Sequence, residues 1–172
     1  MEEQLYTISV YTENNVGLLT RIATIFLKRH LNVESLNVSQ SEIESVSRFN
    51  IVSRMSEEQA KKVTKQIEKQ IEVIKAFYHT DEETIFQETA IYKIASDLLF
   101  DQREIQNIIK NSHAEIVTVA RDFFVISKTG RRQDTEELYD QLKPFGIMQF
   151  VRSGRISVSK NKMEISELLT NM

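Results

Sequence analysis

The sequence lacks cysteine and tryptophan altogether and has one proline and four glycines among its 172 residues. Without cysteine the chain has neither disulfides nor thiolate chemistry. The glycines are isolated, so the glycine-rich loops that cradle phosphates and dinucleotides are absent as well. The chain has no run of about 20 apolar residues, the length that spans a bilayer. Its start, MEEQLYTISV, has neither the basic residues nor the apolar stretch of a signal peptide. We therefore predict a cytoplasmic location and no membrane segment.

Basic charge is not in excess either, since 22 Lys and Arg stand against 25 Asp and Glu, for a formal charge of −3. A nucleic-acid surface needs clustered Lys and Arg, so this balance argues against one. His30, His79 and His113 fall in separate predicted elements and have no partner at the spacing of a metal site. Nucleophile and phosphate-loop motifs are also missing. We therefore predict no metal site and no enzymatic activity in this chain.

What is present is an alternation of strand and helix patterns that occurs twice. Each half has the order β-α-β-β-α-β, which predicts an α+β fold of two ferredoxin-like βαββαβ domains in tandem. Both helices of such a domain cover one face of its sheet. Because Ile91, Phe123 and Val125 make the second face apolar too, we expect a partner to cover it. The predicted parts are a first domain at 1–80, a linker at 81–89, a second domain at 90–158 and a tail at 159–172.

Local signals predict details of individual elements. Ser56 followed by Gln59 has the spacing of a capping box and marks the start of a helix. The apolar phase shifts between Val33 and Leu36, which predicts either a bulge in the second strand or a late start of that strand. Periodicity predicts helices at 17–29, 56–71, 101–112 and 134–145, the last capped by Asp134 or Thr135.

The stretch ENNVGLLTRI, residues 13–22, joins the first strand to the first helix. Gly17 has no Cβ, so a ligand can approach the main chain closely there. The first N–H groups of a helix lack intrahelical acceptors and lie at the positive end of its dipole, where a carboxylate or phosphate binds. Asn14 or Asn15 either caps the helix or presents its amide to a ligand. The turn is thus either a simple capped connection or the seat of a small carboxylate.

Residues 13–39, ENNVGLLTRIATIFLKRHLNVESLNVS, carry a more specific pattern. An E-N-x-x-G-x-L-x-R turn into a helix, followed by N-V-E-S-L at the second strand, resembles the small regulatory subunit of acetohydroxyacid synthase, also called acetolactate synthase. The sequence SRFNI at 47–51, the strand IYKIAS at 91–96 and the late Arg152–Gly154 agree with the same family. The resemblance runs in the right order along nearly the whole chain.

This resemblance implies an N-terminal ACT domain that pairs with a second copy as a homodimer and binds an amino acid at the seam. Asn14, Gly17 and the Leu18 amide would hold the effector carboxylate. Asn32 of the partner copy would meet the ammonium group. The side chains of Leu18, Leu19 and Ile22 are either the apolar wall of that pocket or part of the core.

The resemblance further implies a separate catalytic large subunit that uses thiamine diphosphate, Mg and FAD on the route to valine, leucine and isoleucine. The small subunit would have no cofactor of its own. It would activate the large subunit and confer feedback inhibition by valine or another branched-chain amino acid. Such a role requires no contact with nucleic acid or membrane.

One departure from the family lies just before Asn32, where the family has glycine and an aromatic residue and this chain has His30–Leu31. A left-handed helix cap costs more without glycine, although histidine tolerates it better than most residues. Valine sensitivity is therefore left open. Two other functions share the βαββαβ order: a stand-alone ACT sensor with another target, and tandem RNA-recognition modules. The second needs basic strands with several aromatics, and SRFNIVS supplies only Phe49.

Overall fold

The structure is a computed structural model that describes residues 3–170. These residues form two compact units: 3–86 together with 155–170 make up unit 1, and 87–154 make up unit 2. Residues 1 and 2 of the predicted first domain, and 171 and 172 of the predicted tail, lie outside the described part. Within that part, no helix is long and apolar enough to cross a bilayer.

Unit 1 contains an antiparallel sheet in the order β2-β3-β1-β4 with two helices on one face. Alternate residues of β1, among them Ile8 and Val10, share one buried core with Ile22 and Phe26 of α1 and with Val63 of α2. This is the βαββαβ arrangement that the sequence predicts. Its elements are β1 (Gln4–Glu13), α1 (Leu18–Lys28), β2 (Val33–Gln40), β3 (Val46–Met55), α2 (Glu57–Glu68) and β4 (Val73–Thr80).

Unit 2 repeats the arrangement with the strand order β6-β7-β5-β8. Tyr92 and Ile94 of β5 pack with Ile105, Phe124 and Leu138 in its core. The tandem α+β fold is thereby confirmed. After a short 3-10 helix at Asp81–Glu83, the elements are β5 (Thr84–Ala95), α3 (Ser96–Asp101), α4 (Arg103–Asn111), β6 (Glu115–Val119), β7 (Phe123–Gly130), α5 (Arg132–Leu142), a second 3-10 helix (Lys143–Phe145) and β8 (Ile147–Arg152).

Several local predictions hold. Ser56 caps α2 in a full capping box: its Oγ accepts from the Gln59 N–H, and the Gln59 side chain accepts from the Ser56 N–H. The pairing of β2 with β3 shifts register between Val33 and Ser35, at the predicted bulge.

Two predictions in unit 2 are wrong in detail. The helix expected at 101–112 is α4 (Arg103–Asn111), and a short helix that the sequence did not predict, α3 (Ser96–Asp101), precedes it across the extended Gln102. Helix α5 begins earlier than expected, with Arg131 at its N-cap. Asp134 instead lies in the first turn, where its carboxylate accepts from the Arg131 N–H at 2.8 Å. Asp134, one of the predicted caps, thus bonds to the N-cap N–H from the first turn of the helix.

Residues 155–170, here called the returning segment, belong to unit 1 and contain β9 (Ile156–Ser159) and α6 (Ile165–Thr170). The sequence pattern gives only a polar tail beyond 159. In the structure the Arg155 carbonyl accepts from the side-chain amides of Asn37, at 2.9 Å, and Asn50, at 2.7 Å. The Ser157 Oγ donates to Asn50 Oδ1 at 2.8 Å. The returning segment thus covers the polar face of the unit 1 sheet, opposite the helices.

Candidate effector site

The turn between β1 and α1 is an exposed stretch whose geometry depends on Gly17. Gly17 is the N-cap of α1 with φ +87°, in the left-handed region that favours glycine. A Cβ built on Gly17 would have no atom within 4 Å, so the space beside its main chain is open. Glycine is therefore needed here for backbone conformation, and the vacant side leaves room for a ligand.

The predicted capping of α1 by Asn14 or Asn15 is wrong, because no side chain bonds to the helix start at Gly17. The Asn14 N–H donates to the Ser45 carbonyl at 3.3 Å, and both asparagine side chains are exposed. The Leu18 N–H stands at the first position of the helix, where no intrahelical acceptor exists. A ligand carboxylate can therefore approach these N–H groups without displacing a capping side chain.

The apolar residues after the turn divide between core and surface. Leu18 and Ile22 are 1% and 2% exposed and belong to the unit 1 core, so their side chains form no pocket wall. Leu19 is 47% exposed beside the turn. Leu19 is therefore the one of these three side chains that a ligand can contact.

Asn32 lies at the opposite end of α1 from the turn. Its carbonyl accepts from Ser53 Oγ at 2.6 Å, which fixes its main chain, while the residue itself is exposed. Helix α1 has 11 residues, which is about 16 Å at about 1.5 Å per residue. The structure therefore brings Asn14, Gly17 and Leu18 together and leaves Asn32 of the same chain far from them.

The connection before Asn32 is a left-handed helix cap without glycine. His30 has φ +54°. Its N–H donates to the Leu27 carbonyl at 3.0 Å, and the Leu31 N–H donates to the Phe26 carbonyl at 3.0 Å. These two bonds are those of a Schellman motif. His30 thus takes the left-handed backbone conformation that glycine would take at this cap, as predicted from the sequence His30–Leu31.

An exposed apolar surface extends along the same helix. Leu19, Ala23 and Leu27 recur every four residues of α1 and are exposed. Leu36 and Val38 of β2 are exposed as well, and they are paired with Ile51 and Phe49 of β3. Strand β2 is the edge of the unit 1 sheet, so its outer main-chain groups face no strand in the described part of the chain. We call these five side chains the seam surface.

The cationic side chain nearest the start of α1 is already engaged in an ion pair, so it does not draw an anion away from the turn. Arg21 in the first turns of α1 pairs with Glu72 at 2.5 Å. Among the described residues, no three His, Asp or Glu side chains come together as a metal site would require. The turn therefore offers main-chain N–H groups and the helix dipole, which suit a small carboxylate.

Comparison with known proteins identifies the family. A family model described as the small subunit of acetolactate synthase matches residues 87–161, and one described as the AHAS small subunit-like ACT domain matches residues 8–75. The chain is 34% identical over 158 residues to the acetolactate synthase small subunit of Bacillus subtilis, covering 91% of each chain. It is 32% identical over 160 residues to that of Mycobacterium bovis, covering 93% of this chain and 95% of the relative.

A solved structure supports the same fold. The crystal structure of the acetolactate synthase small subunit from Thermotoga maritima superposes with a TM-score of 0.83 at 24% identity, covering 95% of this chain and all of that one, 100%. This superposition therefore includes both units, in the same order along the chain. The chain belongs to the acetolactate synthase small-subunit family, as a regulatory small subunit with an ACT domain.

Proposed function

We propose that this chain binds and activates the thiamine-diphosphate-dependent large subunit of acetohydroxyacid synthase and makes that enzyme sensitive to valine or another branched-chain amino acid. The observation that carries the proposal is the open, glycine-built start of α1 in a chain of this family. The chemistry would belong to the large subunit, with thiamine diphosphate, Mg and FAD. The small subunit would contribute binding energy and regulation in the cytoplasm, with no cofactor of its own.

The effector site would be completed by a second copy of the chain. Gly17 and Asn32 lie at opposite ends of α1, so one chain cannot place both on the same small amino acid. In a two-fold dimer each helix α1 faces its own symmetry mate, and two antiparallel helices bring the start of one beside the end of the other. Gly17 of one copy would then meet Asn32 of the partner copy twice per dimer.

The seam surface supports this dimer. An exposed edge strand favours pairing with another strand, and β2 is such an edge. Leu19, Ala23 and Leu27 would lose their exposure to water at the same interface. Burial of one leucine side chain contributes about 1.5–3 kcal/mol, which is more than the roughly 0.3–1 kcal/mol that a helix dipole gives a bound charge. Effector binding at such a seam is coupled to the geometry of the interface, as allosteric control requires.

The partnership with a large subunit is tested by co-expression of the two chains. We expect the small subunit to co-purify with the large subunit and to raise its rate of acetolactate formation. A chain that neither binds nor activates contradicts the proposal. A chain that binds valine but not the large subunit is instead a stand-alone ACT sensor.

The effector site is tested by isothermal calorimetry with valine on Gly17→Asp. The added carboxylate lies against that of the ligand, so we expect valine binding to be lost. The matched control is Gly146→Asp, because Gly146 has φ +88° and equally open surroundings in unit 2. Both variants add the same charge at a glycine with positive φ, but Gly146→Asp should bind valine as the unaltered chain does. Unchanged affinity in Gly17→Asp would contradict the site.

A further inference from the structure

Unit 1 contains a second concave region on the sheet face opposite its helices. A cavity of about 130 Å³ lies between the strands and the returning segment. Arg48, Ser9 and His79 line it from the strands, and Ser159, Met163 and Ile165 line it from the returning segment. This cavity is distinct from the turn at Gly17, which joins β1 to a helix on the other face.

Arg48 is the charged centre of the cavity. Its Nη2 donates to Ser9 Oγ at 3.2 Å and to the Ser157 carbonyl at 2.5 Å. Its Nε is buried and has no hydrogen-bond partner in the described part of the chain. No carboxylate among the described residues forms an ion pair with it, although eight other ion pairs are present there. The guanidinium charge is therefore held by neutral groups alone.

The other titratable groups of the cavity do not neutralise this charge. Burial lowers the pKa of His79, against the opposing effect of Glu83 and with the help of Arg48. Burial also raises the pKa of Tyr11, so the ring stays a neutral phenol. Glu42 is the only carboxylate in the lining, and it is exposed at the rim. Arg48 is partly buried, and its Nε is withdrawn from water. A cation in such a place without a counter-charge is costly, and a bound anion would offset that cost.

We propose that this cavity binds a small carboxylate that carries a short aliphatic body and no ammonium group. The carboxylate would bind Arg48, and the serine hydroxyls and the His79 ring would bind its oxygens. Tyr11, Phe77, Met163 and Ile165 would contact the aliphatic part. The cavity is small, at about 130 Å³, which suits a carboxylate of a few carbons.

An amino acid does not suit this lining. Its ammonium group needs acceptors, and the one carboxylate of the lining, Glu42, is exposed and forms no ion pair with Arg48, where the ligand carboxylate would bind. The two ligand classes are thereby separated within one unit: the Gly17 turn would take the amino acid, and the Arg48 cavity would take the amine-free acid. The proposal holds whether or not the turn binds valine.

Binding would also hold the returning segment on the sheet, because the ligand would contact the strands and the returning segment at the same time. One wall of the cavity belongs to strands β1, β3 and β4, and the other belongs to residues 157–165. A bound carboxylate therefore adds contacts that exist only while the segment lies on the sheet. Amide hydrogen exchange at 156–165 should slow when the cavity is filled.

The test is calorimetry of the full chain with butyrate, 2-oxobutyrate, inorganic phosphate and valine. We expect both carboxylates to bind, with tighter binding of 2-oxobutyrate if the hydroxyls contact the keto oxygen and tighter binding of butyrate if only the apolar wall does. Phosphate binding as tight as that of the carboxylates would overturn the proposed class. So would competition by valine, or no binding of either carboxylate.

Two variants and one control make the assignment specific. Arg48→Gln should weaken carboxylate binding about tenfold or more, because it removes a charge-assisted hydrogen bond. Arg54→Gln removes the same charge from an exposed position on the same strand and should change the affinity less than twofold. Met163→Trp fills the cavity while keeping Arg48, so it should abolish binding but leave the exchange of residues 156–159 slow. Equal affinity in all three variants would overturn the proposal.

Discussion

At the scale of single residues, backbone conformation explains several choices in this sequence. His30 and His113 both have positive φ, +54° and +55°, and each follows the helix that leads from the first to the second strand of its unit. Each is followed by an amide that closes a Schellman motif, at Leu31 in unit 1 and at Ala114 in unit 2. The two units thus end these helices with the same left-handed histidine cap, although their sequences show no obvious repeat.

These two positions give a prediction about stability. The left-handed conformation costs a residue with a Cβ about 1–2 kcal/mol relative to glycine, and both histidines are exposed. His30→Gly and His113→Gly should therefore each raise the free energy of unfolding by about 1 kcal/mol, measured by urea denaturation. Lys61→Gly is the control, since glycine at this exposed site inside α2 should lower it by about 1 kcal/mol. Destabilisation by both histidine variants would contradict the explanation.

The candidate site was predictable from the sequence only in part. The glycine at the helix start and the left-handed His30 follow from local rules and from the family motif. The roles of Leu18 and Ile22 did not follow, because spacing along a helix does not distinguish a core side chain from a pocket wall. The Arg48 cavity was not predictable either, since its two walls are more than 70 residues apart in the sequence.

At the scale of secondary-structure elements, hydrophobic periodicity predicted the four strands of each βαββαβ unit. It missed β9, which pairs with β5, and it failed where short polar contacts decide. The break at Gln102 and the start of α5 at Arg131 involve no change in apolar spacing. In the returning segment, the Arg155 N–H donates to Ser35 Oγ, and the Arg155 carbonyl accepts from the side chains of Asn37 and Asn50. Polar contacts rather than an apolar stripe therefore hold this segment. Such contacts depend on the finished sheet and leave no periodic signal in the sequence.

Arg152 joins three elements of unit 2. Its Nε lies 3.1 Å from Glu88 Oε1 in β5, close enough for an ion pair but not aligned as a hydrogen bond. Its Nη1 lies 3.3 Å from Glu136 of α5. Glu88 is buried and also accepts from Thr135 Oγ1 at 2.5 Å. Arg152, the first residue of the family motif at 152–154, thus has a structural role.

Removal of this arginine should destabilise unit 2. Arg152→Met leaves the buried Glu88 carboxylate without its cation, which should cost about 3 kcal/mol of unfolding free energy. Lys62→Gln, which breaks an exposed ion pair with Glu58, should cost less than about 0.5 kcal/mol. Thermal and urea unfolding measure both. Equal effects in the two variants would show that Arg152 acts as an ordinary surface charge.

At the scale of the whole molecule, the chain builds two similar units but completes only one of them with a later segment. Unit 1 has its polar sheet face covered by residues 155–170. In unit 2, Ile91 of β5 and Val151 of β8 pair on the face opposite the helices and are exposed. In unit 1 the chain itself therefore covers this face, whereas the partner expected from Ile91, Phe123 and Val125 concerns unit 2 and stays a prediction.

The covered face predicts a pH dependence. Burial lowers the pKa of His79 below its ordinary value of 6.5. Because the unfolded chain then binds the proton more readily, this contribution to stability is complete above about pH 6.5 and is lost as the pH falls toward the lowered pKa. His79→Gln should remove that part of the slope in unfolding free energy. A chain that ends at Gly154 should show, by NMR titration, a His79 pKa closer to 6.5; an identical pKa would contradict burial by the returning segment.

The division of unit 1 between two stretches of chain has a consequence for synthesis. The ribosome releases β1 to β4 and must then translate all of residues 87–154 before it reaches Arg155. At about 5–20 residues per second this takes roughly 3 to 14 s, far longer than the formation of a small sheet. Throughout that interval water occupies the positions later taken by Arg155 and Ser157. The rate of translation, rather than the speed of strand pairing, therefore determines when the nascent unit is finished.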